Sequence, residues 1–359
     1  MSIKDIAKLA GVSPATVSRV LNNPEHRCSS EEVRQRIWRI AREQNYLPNA
    51  AARSLKLGSP AEAERPLTHV DVLMTRSGGQ QANPFYNELL RYVENEVHRQ
   101  HAVLRSVWYD RAFADPRSCN KRTAARMVDK LVPEQGAEQE AIAVIGRCAP
   151  DALRAFAARY KAVVSINRNP TDFIVDQVTS DGARLAAKAV DYLVSLGHRR
   201  IGYAGSVRDE SWYRGYQRAL THHGIDLDVE DVFECDLSET AGFDIMNGLM
   251  RRDGAPTAIF CSNDMLALGM IRCMMTRGSR YYRPSIIGCD DIEEGQFCRP
   301  MLTSLSVSKR DLARFGMRLL FDRLAGGHSE PARVELDGKL MTRESCWRCT
   351  SADDIEYII

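Results

Sequence analysis

Amide and carboxylate side chains follow several apolar, strand-like runs of this sequence. Asn167, Asn263 and Asp290 are examples, and Asn83 stands just before another candidate element. Such groups donate and accept hydrogen bonds, and ligands of α/β folds bind beyond the carboxyl ends of the strands. These residue types therefore predict a site for a hydroxyl-rich ligand. The alternative is that they cap the next helices, which is the favoured interpretation for Asp264.

No motif in the sequence predicts catalysis. The phosphate-loop pattern GxxxxGK[ST], HExxH and GxSxG are all missing. Two SxxK matches, at 306–309 and 118–121, fix only two residues each and have no accompanying KTG. The Cys346/Cys349 pair lacks a second cysteine pair or a set of histidine ligands. We therefore expect no enzyme activity, no metal and no cofactor.

Composition bounds the class of protein. The chain has 359 residues, of which 44% are hydrophobic and 27% charged, as in globular domains. No apolar run is long enough to cross a bilayer, and the N-terminus lacks a signal-peptide pattern. These features predict a cytoplasmic protein without a membrane partner, whose ten cysteines are mostly free thiols.

Charge is distributed unevenly along the chain. Residues 1–58 contain ten lysines and arginines against five acidic residues, a net charge of +5. The whole chain carries +2, so the remainder carries −3. A basic first segment on a mildly acidic core predicts a polyanionic partner for the first segment alone.

The basic segment shows start and stop signals for three short helices. Ser2 and Asp5 form a capping-box pattern, and Gly11 ends the first helix. Ser13 and Pro14 start the second helix. The residues expected on the buried faces of the three helices are Ile6, Leu9 and Ala10, then Val17, Val20 and Leu21, then Val33, Ile37, Ile40 and Ala41.

This arrangement is typical of a helix-turn-helix, with a generic three-helix bundle as the alternative. Two features favour DNA binding. The second helix begins with small residues, and its outer face, which includes Thr16 and Ser18, carries Arg19 and Asn22. A bulky or acidic face would not enter a major groove, whereas this one fits.

Two stretches, IKDIAKLAGVSPATVSRVLN and NYLPNAAARSLKLG, resemble the headpiece of the LacI/GalR family of bacterial repressors. The resemblance implies that the second helix lies in the major groove, with Pro14 and Ala15 at base-reading positions. It also implies a hinge helix at 49–57 that pairs with that of a second copy in the minor groove, where Leu55 wedges between bases. A plain linker is the alternative for this segment. The implied DNA-binding residues are Ser13, Pro14, Ala15, Thr16, Ser18, Arg19, Asn22, Asn49, Ala52, Arg53, Leu55 and Lys56.

Beyond residue 68, apolar runs alternate with amphipathic stretches. The runs at 69–74, 103–109, 141–145, 162–166, 200–204, 232–234, 258–261 and 285–288 predict strands, and 85–99 and 184–196 predict helices. This alternation predicts parallel sheets covered by helices, and the number of units fits two sheets better than one. The fold class is therefore an N-terminal all-α helix-turn-helix headpiece plus a two-lobed α/β core. The segment 111–136 matches no pattern.

The core also resembles this family, through stretches such as VSLGHRRIGYAGS and AIFCSNDMLALGMIR. The resemblance implies a core like type I periplasmic binding proteins. The expected organisation is a DNA-binding domain at 1–58, a linker at 59–68, an effector-binding and dimerisation core at 69–347 and a tail at 348–359. Within the core, we expect an N-lobe of about 69–176 and 308–333 and a C-lobe of about 177–305 and 334–347.

The family resemblance also implies effector-binding residues. Asn83, Phe85 and Tyr86 match a loop whose aromatic rings face a sugar, while Asn167, Asn263 and Asp290 match hydrogen-bonding positions. Trp212 stands where members usually carry an arginine, and we expect it to supply a stacking surface. The expected set is Asn83, Phe85, Tyr86, Asn167, Trp212, Asn263 and Asp290.

These expectations combine into one function. The sequence predicts a homodimeric repressor that binds a pseudo-palindromic double-stranded DNA operator and is controlled by a small effector, a sugar. A nucleobase or other metabolite acting as corepressor is the alternative for the effector. A sugar-binding receptor without DNA function is the alternative for the whole chain.

Overall fold

A computed structural model of the protein describes residues 3–14, 16–17, 20, 33, 36–37, 40, 67–76, 83–132, 139–167, 171–208, 211–277 and 282–349. The chain divides into two compact units, Met1–Pro66 and Leu67–Ile359. The first contains the helical headpiece and the second the α/β core.

The headpiece begins with helix α1, Ile3–Ala10, and Gly11 follows it with a φ of +66°. That left-handed conformation suits glycine and ends the helix where the sequence predicts. Ser13 opens the next turn, and its Oγ accepts a hydrogen bond from the Thr16 amide at 3.1 Å. The predicted Ser13 cap is therefore present.

A small apolar cluster holds the headpiece together. Its buried members are Ile6, Ala7, Ala10, Val17, Val20 and Ile37, with Val12, Val33 and Ile40 packed against them. The prediction for Leu9 is wrong: its side chain is 56% exposed, and Ala7 is buried instead. The buried stripe of α1 thus follows the i, i+1, i+4 positions starting at Ile6, which turns Leu9 toward solvent. Leu21 and Ala41 lie outside the described residues.

The first lobe of the core is a six-stranded, fully parallel sheet in the order β11-β5-β4-β3-β1-β2, counted over the described residues. Its strands are β1 (His69–Met74), β2 (Val103–Tyr109), β3 (Gln139–Ile145), β4 (Tyr160–Ile166), β5 (Asp176–Ser180) and β11 (Arg333–Leu336). Its helices are α2 (Pro84–Arg99), α3 (Ala124–Leu131), α4 (Pro150–Ala157) and α10 (Lys309–Leu324).

The described residues of the second lobe form a six-stranded sheet in the order β12-β10-β9-β8-β6-β7, in which only the pairing of β10 with β12 is antiparallel. Its strands are β6 (Ile201–Gly205), β7 (Val232–Glu234), β8 (Ala258–Cys261), β9 (Ser285–Cys289), β10 (Thr303–Ser306) and β12 (Lys339–Met341). Its helices are α5 (Gly182–Ser195), α6 (Ser211–His222), α7 (Glu239–Leu249), α8 (Asp264–Arg277) and the short α9 (Glu294–Phe297).

Within the described residues, the chain crosses between the lobes three times, and two of the boundaries differ from those expected. Strand β5 runs to Ser180 and pairs with β4, so the first lobe extends past residue 176. Strand β11 pairs with β5, so 334–336 also belong to the first lobe. Both strands are short and partly polar, and the apolar-run criterion therefore missed them. The remaining crossover joins β10 to α10.

The sequence offers no pattern for 111–136. The described part of this segment, residues 111–132, packs on one face of the first lobe. It contains a 3₁₀ turn at Arg111–Ala114 and helix α3. Phe113, Cys119 and Val128 are buried there, against Phe156 of α4 among others. The segment therefore supplies core rather than a ligand site.

Candidate functional site

A narrow cavity lies between the two lobes of the core. Its walls are Phe85, Asn167 and Ser180 from the first lobe, Trp212, Asp290 and Leu305 from the second, and Val307 from the crossover to α10. The cavity volume is about 10 Å³, roughly the room that one water molecule needs. Sites for drug-sized ligands span roughly 300–1,000 Å³, so a ligand can enter this cleft only when the two lobes move apart.

Helix α2 presents Phe85 to the cavity. Asn83 caps the helix, its Oδ1 accepting a hydrogen bond from the Phe85 amide at 3.0 Å, and Pro84 occupies the first helical position. This combination fixes the start of a helix. The Phe85 ring meets Tyr86 edge to face, with 5.1 Å between the ring centres. Phe85 is therefore a rigid aromatic wall on the first-lobe side.

Trp212 forms an aromatic wall on the second-lobe side. It belongs to the first turn of α6, which packs closely on the start of α5. Gly215 makes this approach possible, because a Cβ at that position would overlap the backbone of Ala183. The indole also lies 6.2 Å from the Phe260 ring centre. The sequence thus places Trp212 through a helix–helix contact that only glycine permits.

Asn167 follows β4 with a φ of +61°. Asparagine tolerates this left-handed conformation better than most residues. Its backbone amide donates to the Val178 carbonyl at 2.8 Å, which extends the pairing of β4 with β5 by one residue. The turned backbone leaves the Asn167 side chain on the cavity wall.

Asp290 follows β9 in a strained loop. Its φ is +107° and that of Asp291 is +47°, so two successive non-glycine residues occupy sparsely populated conformations. Each costs of order 1–3 kcal/mol and persists only where the surroundings impose it. The Asp290 amide donates to Leu305 O at 2.9 Å and the Asp291 amide to Ser304 Oγ at 3.1 Å.

Buried groups beneath the loop hold it in this shape. The Ile292 amide donates to Asp264 Oδ2 at 2.9 Å, and Ser304 Oγ donates to Asp264 Oδ1 at 2.6 Å. Arg343 donates to Asp291 Oδ1 at 2.6 Å. Burial, followed by the nearby charge of Asp290, raises the pKa of Asp264 well above its usual range. Asp264 is therefore a buried support for the Asp290 loop rather than a helix cap or a ligand-binding group.

Four of the seven expected effector residues line the cavity: Phe85, Asn167, Trp212 and Asp290. The other three do not. Asn263 is fully buried, its Oδ1 capping α8 at the Leu266 amide and its Nδ2 donating to Leu237 O. Asn263 thus has the capping role expected for Asp264, and Asp264 supports the Asp290 loop instead. Asn83 caps α2, and Tyr86 is buried beside Phe85.

The sequence reasoning missed three wall residues, Ser180, Leu305 and Val307. Ser180 ends β5 and Leu305 lies in β10, and neither strand stands out as an apolar run. Their shared signal is position, because each lies next to a point where the chain crosses between lobes. A search for crossovers rather than for polar residues would have found them.

Only part of the expected DNA-binding set lies within the described residues. Ser13 and Pro14 are exposed at the start of the second headpiece helix, and Thr16 is half-buried. Ala15, Ser18, Arg19, Asn22, Asn49, Ala52, Arg53, Leu55 and Lys56 lie outside the described residues. Their roles in DNA contact stay predictions from the sequence.

The structure also bears on metal and redox sites. Among the described residues, no group of three or more histidine, cysteine or acidic side chains is placed to hold a metal ion. Cys346 is partly buried against the core and hydrogen-bonds to Ile286 O at 3.2 Å, and burial raises its pKa to about 12. That thiol is poorly suited to redox chemistry. No helix within the described ranges is long and apolar enough to span a membrane.

Comparison with known proteins identifies the family. Residues 2–49 match the profile of bacterial regulatory proteins of the lacI family, and residues 190–346 match a periplasmic binding protein-like domain. The HTH-type transcriptional repressor PurR of Mannheimia succiniciproducens is 31% identical over 361 residues, covering 96% of this chain and 98% of the relative. The chain belongs to the LacI family. PurR of Haemophilus influenzae is 28% identical over 353 residues, with the same coverage of both chains.

Solved structures agree with the fold of this LacI-family protein. A CelR–cellobiose complex is 24% identical with a TM-score of 0.65, covering 96% of this chain and all of the other. The lac repressor dimer bound to operator and the anti-inducer ONPF is 20% identical with a TM-score of 0.63, covering 97% and 99%. The LacI-family chain is a DNA-binding transcriptional repressor and not an enzyme.

Proposed function

We propose that this repressor binds a pseudo-palindromic operator as a homodimer in the bacterial cytoplasm and that a small, flat heterocycle such as a nucleobase controls its operator affinity. The observation that carries the effector class is the cavity wall. Phe85 and Trp212 approach one small cleft from opposite lobes, with Asn167 and Asp290 beside them. Two aromatic rings and two polar side chains suit a planar ligand, which can stack on the rings and form hydrogen bonds in its own plane.

The small share of polar side chains in the cavity wall disfavours the sugar that the sequence suggested. Four of the seven wall residues are aromatic or aliphatic, and only Asn167, Ser180 and Asp290 offer polar side chains. A sugar exposes hydroxyl groups around its whole rim, and each one buried without a partner costs free energy. A nucleobase concentrates its polar groups on a few edges. The two relatives found by sequence, at 31% and 28% identity, are both called PurR. The CelR structure is a complex with cellobiose, but at 24% identity it supports the fold and not the effector.

The effector class can be tested by calorimetry on the full-length protein. Adenine, guanine, hypoxanthine and uracil are titrated in parallel with ribose, glucose and cellobiose. We expect at least one nucleobase to bind and the sugars to give no heat. Binding of a sugar alone would contradict the proposed effector while leaving the repressor assignment intact.

Two variants tie the binding to the cavity. Trp212→Ala removes one aromatic wall and should weaken nucleobase binding by about tenfold or more, since an aromatic pair contributes about 0.5–1.5 kcal/mol beyond the buried area. Trp108→Ala is the matched control, because Trp108 packs on the first-lobe core away from the cavity walls. Equal weakening by both variants would indicate a general loss of stability rather than a lost contact.

A further inference from the structure

Lys309 lies where the two lobes meet. It is the first residue of α10, directly after the chain has crossed from β10 in the second lobe to the first lobe. Its side chain is only 10% exposed. The Nζ lies 3.0 Å from Glu88 Oε2 on α2 and donates to the carbonyl oxygens of Asp290 and Asp291, at 3.2 and 3.1 Å. One ammonium group thus joins a helix of the first lobe to the strained loop of the second.

We propose that Lys309 is a positioning residue that fixes the two walls of the effector cavity relative to each other. The Nζ lies 5.3 Å from the centre of the Phe85 ring, within cation–π range. It therefore contacts Phe85, a wall of the first lobe, and the backbone of Asp290, a wall of the second. The same cation holds both.

Interactions within α10 do not explain why a lysine occupies position 309. A cation in the first turn is opposed by the positive end of the helix dipole. Ser308 already caps α10, its Oγ accepting from the Asp311 amide at 3.2 Å. The compensation for burying this charge therefore comes from outside the helix, from Glu88 and the two carbonyl oxygens. Lys309 stabilises the arrangement of its partners rather than its own helix.

The number and direction of the acceptors match the donor. An ammonium group has three N–H donors, and three oxygen atoms from two lobes lie within reach of this one. The two carbonyl oxygens belong to the two successive residues with positive φ values, so one strained turn presents both of them to the ammonium group. Lys309 and the loop conformation that presents Asp290 therefore depend on each other.

A second lysine at a crossover provides the comparison. Lys188 of α5 also binds a carboxylate and a carbonyl oxygen, Asp337 Oδ1 at 2.8 Å and Gly338 O at 2.7 Å. Its side chain is 36% exposed, and neither partner lines the cavity. Lys188→Met thus removes the same kind of contact from the same kind of crossover without touching either wall.

Hydrogen exchange measured by mass spectrometry on the full-length, ligand-free protein tests this proposal. The informative peptides contain residues 84–90 of α2 and 288–297 around the Asp290 loop. The amides of Asp290, Asp291 and Ile292 are all hydrogen-bonded, so they start from slow exchange. Lys309→Met should accelerate exchange in both peptides, by about tenfold, while the rest of the core keeps its rates.

The controls separate positioning from general destabilisation. Lys309→Arg keeps the charge and should restore slow exchange in part, and Lys188→Met should leave both peptides unchanged. If Lys309→Met accelerates exchange throughout the core, the variant Glu88→Gln provides the test instead. This variant keeps the lysine but removes the charge of its partner, so exchange in residues 84–90 should still be faster. Unchanged rates in either peptide of Lys309→Met, or equal acceleration in Lys188→Met, would overturn the proposal. No effector is added, so the result is separate from the effector class proposed above.

Discussion

Asp290 has a strained backbone and lies on the cavity wall, so replacing its carboxylate is the most direct test of the role of a single residue in effector binding. Asp290→Asn keeps a side chain that tolerates positive φ but removes the charge. A hydrogen bond to a charged group contributes about 1.5–3 kcal/mol. We therefore expect nucleobase affinity measured by calorimetry to fall by about 10- to 150-fold.

The same variant should leave effector-free operator affinity unchanged in fluorescence anisotropy. Asp226→Asn, at an exposed position outside the cavity wall, is the control and should change neither affinity. Loss of operator binding in Asp290→Asn would show that Asp290 supports the fold rather than the effector.

A histidine–carboxylate cluster in the first lobe predicts a pH effect. His328 hydrogen-bonds to Asp322 Oδ2 at 2.6 Å and to Asp176 Oδ2 at 3.0 Å. The bond to Asp322, then the bond to and charge of Asp176, raise the pKa of His328 above its usual value of 6.5. A raised folded-state pKa contributes stability that is fully present below about pH 6.5 and is lost as pH rises through the folded-state pKa.

Thermal unfolding of the protein and of His328→Gln between pH 6 and 9 measures this contribution. The difference in melting temperature should be largest at pH 6 and shrink toward pH 9. Burial acts to raise the pKa of Asp176, but the hydrogen bonds from Arg323, the Ala332 amide and His328 outweigh burial, and the pKa is lowered. The Asp176 carboxylate therefore titrates only at acidic pH. A difference that does not vary with pH would show that the His328 charge contributes nothing.

The role of a residue was predictable from the sequence only where its position in the chain determines the direction of its side chain. Phe85 and Asp290 lie on the cavity wall as the sequence suggests. Asn263 and Asp264 are neighbours with similar hydrogen-bonding groups, and the sequence cannot tell which one caps α8 and which one turns beneath the Asp290 loop. That choice depends on Leu237 and Ser304, which are distant in the chain.

At the scale of elements, helices α7 and α8 pack with their backbones in close approach. A Cβ at Gly269 would overlap the backbone of Glu239, and one at Gly242 would overlap that of Leu266. Gly269→Ala should therefore destabilise the core by about 1–3 kcal/mol or more, because neither backbone can give way cheaply. Urea unfolding followed by circular dichroism measures the change.

Gly248 offers the control on the same pair of helices. Apart from the nearby backbone of its own helix and its two chain neighbours, no atom lies within 4 Å of a Cβ built at this exposed position of α7. Gly248→Ala should leave stability unchanged or raise it by up to about 1 kcal/mol, through the helix propensity of alanine. Equal destabilisation by both substitutions would mean that the close approach is not what the glycines provide.

The predicted hinge helix at 49–57 lies outside the described residues, and its test rests on the sequence. A helix this short is marginal alone in water, so it is expected to fold on docking to DNA. Leu55→Gly removes the predicted wedge and should lower operator affinity in fluorescence anisotropy by tenfold or more, roughly the contribution of a few buried methylene groups. Full operator affinity in this variant would contradict a hinge-wedge mechanism.

The regular elements of the core follow from the sequence wherever an apolar run is long enough. Strands β1, β2, β7 and β8 have the predicted bounds, and β3, β4, β6 and β9 differ by one or two residues. Strands β5, β10, β11 and β12 were not predicted. Each is short, and sequences such as DQVTS and TSLS carry no apolar signal. Their pairing is determined by neighbouring strands rather than by local propensity.

His198, in the second lobe, also has a role that depends on residues distant in the sequence. His198 follows the end of α5, a position typical of a side chain that interacts with the helix dipole. Instead it is buried and hydrogen-bonds to Thr257, Ser285 and the carbonyl oxygen of Trp347. Burial lowers its pKa, so it favours the neutral form. His198 thereby ties the segment after β12 to the sheet, a long-range role without a local signal.

At the scale of the whole molecule, one chain carries two sites. The headpiece carries the DNA-binding pattern, and the core carries a cleft whose walls come from both lobes and are braced by Lys309. If effector and operator favour different states, each must change the other's affinity by the same factor, commonly 5- to 150-fold. Effector binding measured alone would therefore leave the regulatory claim open.

The decisive measurement is the dissociation constant of the full-length protein for its own operator, with and without a nucleobase. The operator is first obtained by selecting bound duplexes from a random pool in the presence and absence of the nucleobase panel. We expect a pseudo-palindrome whose affinity for the protein changes at least about fivefold when one nucleobase is added and stays constant with sugars. A selected palindrome whose affinity no nucleobase changes would contradict this expectation.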